Sequence, residues 1–348
     1  LSRSAQRSVG QSAAHDAPNL APPPGNPRFP LFDGLRAIAA LSVFAGHTIT
    51  VQYSLGGHPT AFVWATNLAD QGVAIFFLIS GFLLYRPFLS ARSRGVSPSL
   101  GDYFRRRFLR IVPAYWLALS LFIALGFVSG ITTSNWWVFY GFAQIYDAHK
   151  IGHGIGVAWT LCIEVSFYIA LPIFALALSR LSARSKGLLA DAVALALLAA
   201  GSLAFRATHS SFFESATVST LWGTFFWFAL GMGLALISVS VEGQPTRARF
   251  TRWVGNASAW CWLAAAALWV LLHEIEVKAS SLSVALRSTT LHVMYGLVAL
   301  LVLLPAVFEA QAGGLARRVL RAPPLLWVGL VSYAFYLYHT TVLEQLSR

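Results

Sequence analysis

The chain of 348 residues is 57% hydrophobic and only 11% charged, with a mean hydropathy of +0.64, which excludes a soluble domain whose whole surface must be wetted. Its formal charge of +12 is carried by 25 basic residues that sit in short clusters between apolar runs, not on one domain. That dispersal argues against a nucleic-acid binder and is the pattern that orients a membrane protein.

Residues 1–30, rich in Ser, Ala, Pro and Gly, lack the continuous apolar core of a signal peptide and read as a disordered cytoplasmic tail. The chain opens on Leu, which reads as a processed or trimmed start. Crossing the hydrocarbon core takes about 20 apolar residues. Nine such stretches follow, at approximately 31–51, 69–88, 111–130, 157–179, 187–206, 217–238, 257–276, 287–308 and 324–344. Segment 134–147 is aromatic but short and is expected to be interfacial or re-entrant. The expected fold is therefore all-α, a polytopic bundle of about nine spans forming one transmembrane domain over residues 31–348. No internal repeat, heptad pattern or second soluble domain is visible.

The loops test that count, because cytoplasmic connections carry the excess of Lys and Arg. Arg3, Arg7 and Arg28 precede the first span, and Arg86, Arg92, Arg94, Arg105, Arg106, Arg107 and Arg110 separate the second from the third. Arg180, Arg184 and Lys186 follow the fourth, Arg247, Arg249 and Arg252 the sixth, and Arg317, Arg318 and Arg321 the eighth. Alternate loops hold only Lys150, Arg206, Lys278 and Arg287. A cytoplasmic N-terminus fits throughout, provided 134–147 does not cross.

Ionisable groups inside spans are expensive and mark functional candidates. They are Arg36 and His47 in span one, Glu164 in span four, Asp191 near the start of span five, His292 in span eight and His339 in span nine. Asp191 is compatible with a place at the interface, and Asp33 with a helix N-cap. Cys162 and Cys261 lie inside apolar runs without metal-ligand spacing and read as packing residues. Arg36 and His47 are eleven residues apart, so they share one helix face with about 16 Å between them along the axis. A guanidinium suits the phosphates of CoA, and an imidazole is the usual general base for a hydroxyl. The plainer alternative is a snorkelling arginine and a packed histidine. Glu164 is expected to approach the depth of His47 and to orient it or act as a base; a buried structural pair is the alternative. The run Tyr103 to Arg110 is either a positive-inside anchor or, through Arg107 and Arg110 on one helix face, a phosphate site.

Phe32-Asp33-Gly34-Leu35-Arg36, continuing to His47, resembles the opening helix of the membrane-bound acyltransferase family 3, with its Arg and His separated by ten residues. Gly72 to Phe82, Arg107 to Tyr115, Trp159-Thr160-Leu161-Cys162-Ile163-Glu164 with Phe167-Tyr168, and Ser332 to His339 resemble its later motifs in family order, spanning residues 32–339. Thr160 stands where the family commonly has Ser and keeps the hydroxyl. The family often has ten helices against nine here, which reads as a chain shortened after Arg348.

The resemblance implies a bacterial inner-membrane enzyme that moves an acyl group, most commonly acetyl, from cytoplasmic acyl-CoA to an extracytoplasmic glycan, glycolipid or similar acceptor. It implies His47 as catalytic residue, and Arg36, Arg107 and Arg110 as residues that serve acyl-CoA. Arg86 joins them in our reading, with Glu164 beside His47 as a second catalytic residue. No permanently bound cofactor and no metal are expected. The competing class is a transporter with an intramembrane His/Glu proton relay; the lack of an inverted repeat weakens it.

Overall fold

The computed structural model describes Phe29 and residues 31–54, 56, 59–182, 187–209, 218–241, 249, 253, 257–278, 283–308 and 314–347. The proposed tail and the loop residues Arg184, Lys186, Arg247 and Arg252 lie outside these. Among the described residues there is no strand, and nine helices are long and apolar enough to cross a membrane. The spanning helices are α1 (Leu31–Ser54), α2 (Pro59–Ser93), α3 (Leu100–Ala124), α5 (Ala158–Ser182), α6 (Leu188–His209), α7 (Leu221–Val241), α8 (Ser258–Lys278), α9 (Val284–Val307) and α11 (Pro323–Leu346). Two short helices, α4 (Trp136–Tyr140) and α10 (Leu315–Leu320), complete the set.

The aromatic segment 134–147 contributes only α4 and a 3-10 turn at Gln144–Tyr146, so it does not cross. It is pinned to α3 from the side: Tyr115 donates its hydroxyl to the Phe139 carbonyl at 3.1 Å, and Trp116 Nε1 donates to that of Tyr140 at 2.9 Å. Two helices start earlier than the apolar runs do. The basic run expected ahead of the third span lies inside α3, whose N-cap Ser99 accepts from the Asp102 amide, and α2 begins at Pro59. An apolar window misses such first turns because their polar and charged residues lower the mean hydropathy.

The centre of the bundle is α2, which packs against α1, α7 and α9, while α11 closes the other side of α1. Contact is close because glycines let backbones meet. A Cβ on Gly81 would lie 2.3 Å from the Phe228 carbonyl oxygen of α7, and one on Gly231 would lie 2.1 Å from that of Leu78. The short α10 carries Arg317, whose guanidinium is buried and donates to the carbonyls of Pro305 and Phe308, capping the C-terminus of α9. Cys162 is fully buried and Cys261 half-buried; both are free thiols.

Candidate active site

The arginine-rich end of the bundle encloses a cavity between α1, α2, α3, α5 and α11, lined by Arg36, Arg107, Arg110, Glu164, Tyr168 and Tyr336 among others. Each arginine is positioned by its helix. Arg36 is on the first turns of α1 and is held by Asp33 at 2.7 Å. Because α1 begins at Leu31, Asp33 lies within the first helical turn, so it serves as the partner of Arg36 and not as the expected N-cap. Arg107 faces the ring of Tyr168 at 5.9 Å, and α3 is anchored by Tyr103 donating to the Tyr168 carbonyl and Tyr333 donating to the Ile111 carbonyl. Three guanidiniums thus face a single lining carboxylate, an arrangement that attracts an anion.

Arg86 is placed elsewhere. It is 2% exposed, donates to Ser238 of α7 and stacks over Phe29 at 5.2 Å, outside the lining of this cavity. Its sequence position beside the other arginines does not reveal that α2 turns it toward α7.

Glu164 also departs from expectation. Its Oε1 accepts from Ser80 at 2.9 Å and from the Tyr168 hydroxyl at 2.6 Å, and it shares the cavity with the arginines instead of approaching His47. The levels explain this. Thr160, in the first turn of α5, meets the hydroxyl of Tyr336 at 2.7 Å, and Tyr336 lies one turn inward of His339 on α11. Glu164 is a further four residues along α5, about 6 Å deeper toward the arginines. Counting residues from the start of an apolar run assumes that every helix starts at the same height; the first turn of α5 is level with Tyr336, already on the arginine side of His339.

The partner of His47 is His339, with His47 Nδ1 and His339 Nε2 2.9 Å apart. The other nitrogen of His339, Nδ1, lies 2.7 Å from the Tyr336 carbonyl. A carbonyl only accepts, so His339 Nδ1 carries the proton. In the neutral ring its Nε2 is then bare, and His47 must donate from Nδ1. His47 Nε2 is thereby left unprotonated, the form a general base needs. Phe44 and Phe335 pack beside His339 and hold the pair in place.

The remaining intramembrane groups lie apart from this site. Asp191 is buried in the first turn of α6 and pairs with Arg92 in the last turn of α2, with the Tyr85 hydroxyl also directed at it, a structural pair at the helix ends. His292 is buried, stacks on Trp227 at 4.0 Å and lines a second cavity at the opposite end of the bundle. Asp70, Glu276 and His273, inside spans but overlooked in the sequence, belong to that end too; their signal was their position near the ends of α2 and α8 that alternate with the arginine-rich ends. Among the described residues no cluster of His, Cys, Asp and Glu is suited to a metal.

Comparison with known proteins agrees with the motifs. The chain is 28% identical over 49% of its length to the peptidoglycan O-acetyltransferase OatA of Listeria monocytogenes, covering 28% of that protein. It is 25% identical over 90% of its length to the putative peptidoglycan O-acetyltransferase YrhL of Bacillus subtilis, covering 48% of it, and 29% identical over 66% to nodulation protein 10 of Rhizobium leguminosarum, covering 68%. It thus spans less than half the length of the first two relatives. No solved structure matches. The model of the family described as an acyltransferase domain matches residues 30–346, nearly the whole chain, and the protein belongs to the membrane acyltransferase family 3.

Proposed function

We propose that the protein transfers an acyl group, most simply acetyl, from cytoplasmic acyl-CoA to a hydroxyl of an extracytoplasmic glycan, glycolipid or similar acceptor, across a bacterial inner membrane. The observation that supports it is the stacking of two chemistries along α1 and α11: a cationic cavity at the arginine-rich end, and an imidazole pair one turn beyond Tyr336 at its floor. The names of the two peptidoglycan O-acetyltransferases favour acetyl and a glycan.

Arg36, Arg107 and Arg110 receive the CoA phosphates, for which forked guanidinium donors are matched. The pantetheine arm runs inward past Glu164 toward Tyr336. His47 Nε2 takes the acceptor's hydroxyl proton as the oxygen attacks the thioester carbonyl. The tetrahedral intermediate then expels CoA thiolate, and the imidazolium returns the proton to that sulfur. His339 acts through His47, fixing its tautomer. Glu164 acts as a counter-charge among the arginines.

The test is release of CoA thiol from acetyl-CoA by purified protein in nanodiscs supplied with a glycan acceptor. His47→Ala is expected to lose on the order of 100- to 10,000-fold in turnover, the usual worth of a positioned general base. Wild-type turnover in that variant, or no thioester consumption by the parent protein, overturns the proposal; the second result would return the transporter reading to the front.

A further inference from the structure

The second cavity, of about 550 Å³, lies at the end of the bundle opposite the arginines and falls within the roughly 300–1,000 Å³ of small-molecule sites. It is formed where the ends of α2, α5, α6, α7, α8 and α9 meet, and its lining includes Asp70, Trp159, Arg206, Glu276, Arg287 and His292. Two of these carry buried atoms that make no direct hydrogen bond. His292 is 2% exposed and its Nε2 has no hydrogen-bond partner; Glu276 Oε2 makes no direct hydrogen bond, although Asn67 approaches the carboxylate. A buried polar atom left unpaired is destabilising, so a ligand that satisfies it offsets that cost.

The charges indicate what kind of ligand. Two carboxylates face two guanidiniums, Arg206 within electrostatic range of Asp70 and Arg287 within range of Glu276, so the formal lining charge cancels. This contrasts with the three arginines and one carboxylate of the inner cavity. A net-charged ligand gains little here. An uncharged ring bearing several hydroxyls gains from carboxylates that accept, guanidiniums that donate, and the half-buried face of Trp159 for its C–H surface.

Chain neighbours connect this cavity to the inner one and to α1. Trp159 and Thr160 are consecutive on α5, the first lining this cavity and the second the inner one. Asp70 follows Ala69, whose side chain abuts Gly46, the residue before His47; a Cβ on Gly46 would lie 2.9 Å from that of Ala69.

We infer that this outer cavity is the acceptor site and that it selects an uncharged sugar ring. The inference rests on the acyl-transfer reading only for what happens to the ring once bound. Binding is measured by saturation-transfer NMR of methyl β-D-glucopyranoside, with methyl β-D-glucuronide as anionic control, on the full chain in nanodiscs. The parent protein and His47→Ala should both bind the neutral glycoside, and the glucuronide at least tenfold more weakly. Asp70→Asn and Glu276→Gln should each weaken the neutral glycoside at least tenfold with an unchanged thermal midpoint. If Asp70→Asn unfolds, Glu276→Gln decides. No binding by the parent protein, equal binding of both glycosides, or undiminished binding by the folded variants overturns the site. Glycoside binding without any thioester turnover would defeat acyl transfer and leave the site standing; turnover with an unchanged acceptor KM in the variants would do the reverse.

Discussion

Among the residues of the inner cavity, Glu164 is the one whose removal separates two accounts of the chemistry. Its carboxylate sits with Arg36, Arg107 and Arg110, while its hydrogen bonds come from Ser80 and Tyr168. Glutamine keeps an oxygen to accept both bonds, so Glu164→Gln should fold. It removes the one carboxylate that lines the cavity with the three guanidiniums. Acyl-CoA is therefore expected to bind several-fold more tightly in low salt, an advantage that fades as added salt screens the arginines. The measurement is KM for acetyl-CoA across ionic strength. A collapse of kcat with KM unchanged would return Glu164 to the service of His47. The sequence made the placement of Arg36 and His47 on one helix legible, because helical spacing is a local property and α1 is unbroken from Leu31 to Ser54. The contact between His47 and His339 was not legible, since it joins residues 292 positions apart and depends on how α1 and α11 are levelled against each other. Nor was the direction in which Arg86 points, which depends on how α2 packs against α7.

At the scale of elements, the crossing of α2 and α7 depends on Gly81 and Gly231, which carry no chemistry. Gly231 meets the Leu78 backbone, whereas Gly233, two residues on and on another face, has nothing within 4 Å of its would-be Cβ. The two positions should respond to alanine with opposite signs. Gly231→Ala forces the helices apart and is expected to cost about 1–3 kcal/mol, as overpacking does. Gly233→Ala meets no obstacle and should gain up to about 1 kcal/mol from helix propensity. Thermal unfolding of the two variants in the same detergent checks this; a matching response would mean that the α2–α7 crossing is looser than described. Helix number and order were legible from apolar length alone, because a span must be both long and apolar. The starts of α2 and α3 were not, since their first turns carry polar and charged residues that an apolar window rejects.

For the molecule as a whole, orientation decides whether the two cavities face the compartments their chemistry requires. The described arginines at the cavity end, including Arg92, Arg94, Arg105, Arg106, Arg180, Arg318 and Arg321, outnumber the basic residues at the other end, chiefly Lys150, Arg206, Lys278 and Arg287. Under the positive-inside bias, the proposed orientation has the three-arginine cavity against the cytoplasm, where acyl-CoA is made, and the charge-balanced cavity outside. The residues α4 precedes and the α2–α3 connection should accordingly lie on opposite faces. Ala148 and Ser97 are exposed positions in those two loops. With Cys162 and Cys261 first replaced by alanine, Ala148→Cys is expected to react with a membrane-impermeant maleimide in intact spheroplasts, and Ser97→Cys only after permeabilisation. The reverse pattern would place the guanidiniums outside, away from any pool of acyl-CoA. Acyl transfer from a cytoplasmic donor would then be untenable, however well His47 and His339 are arranged, because the donor site and the donor would be on different sides of the bilayer.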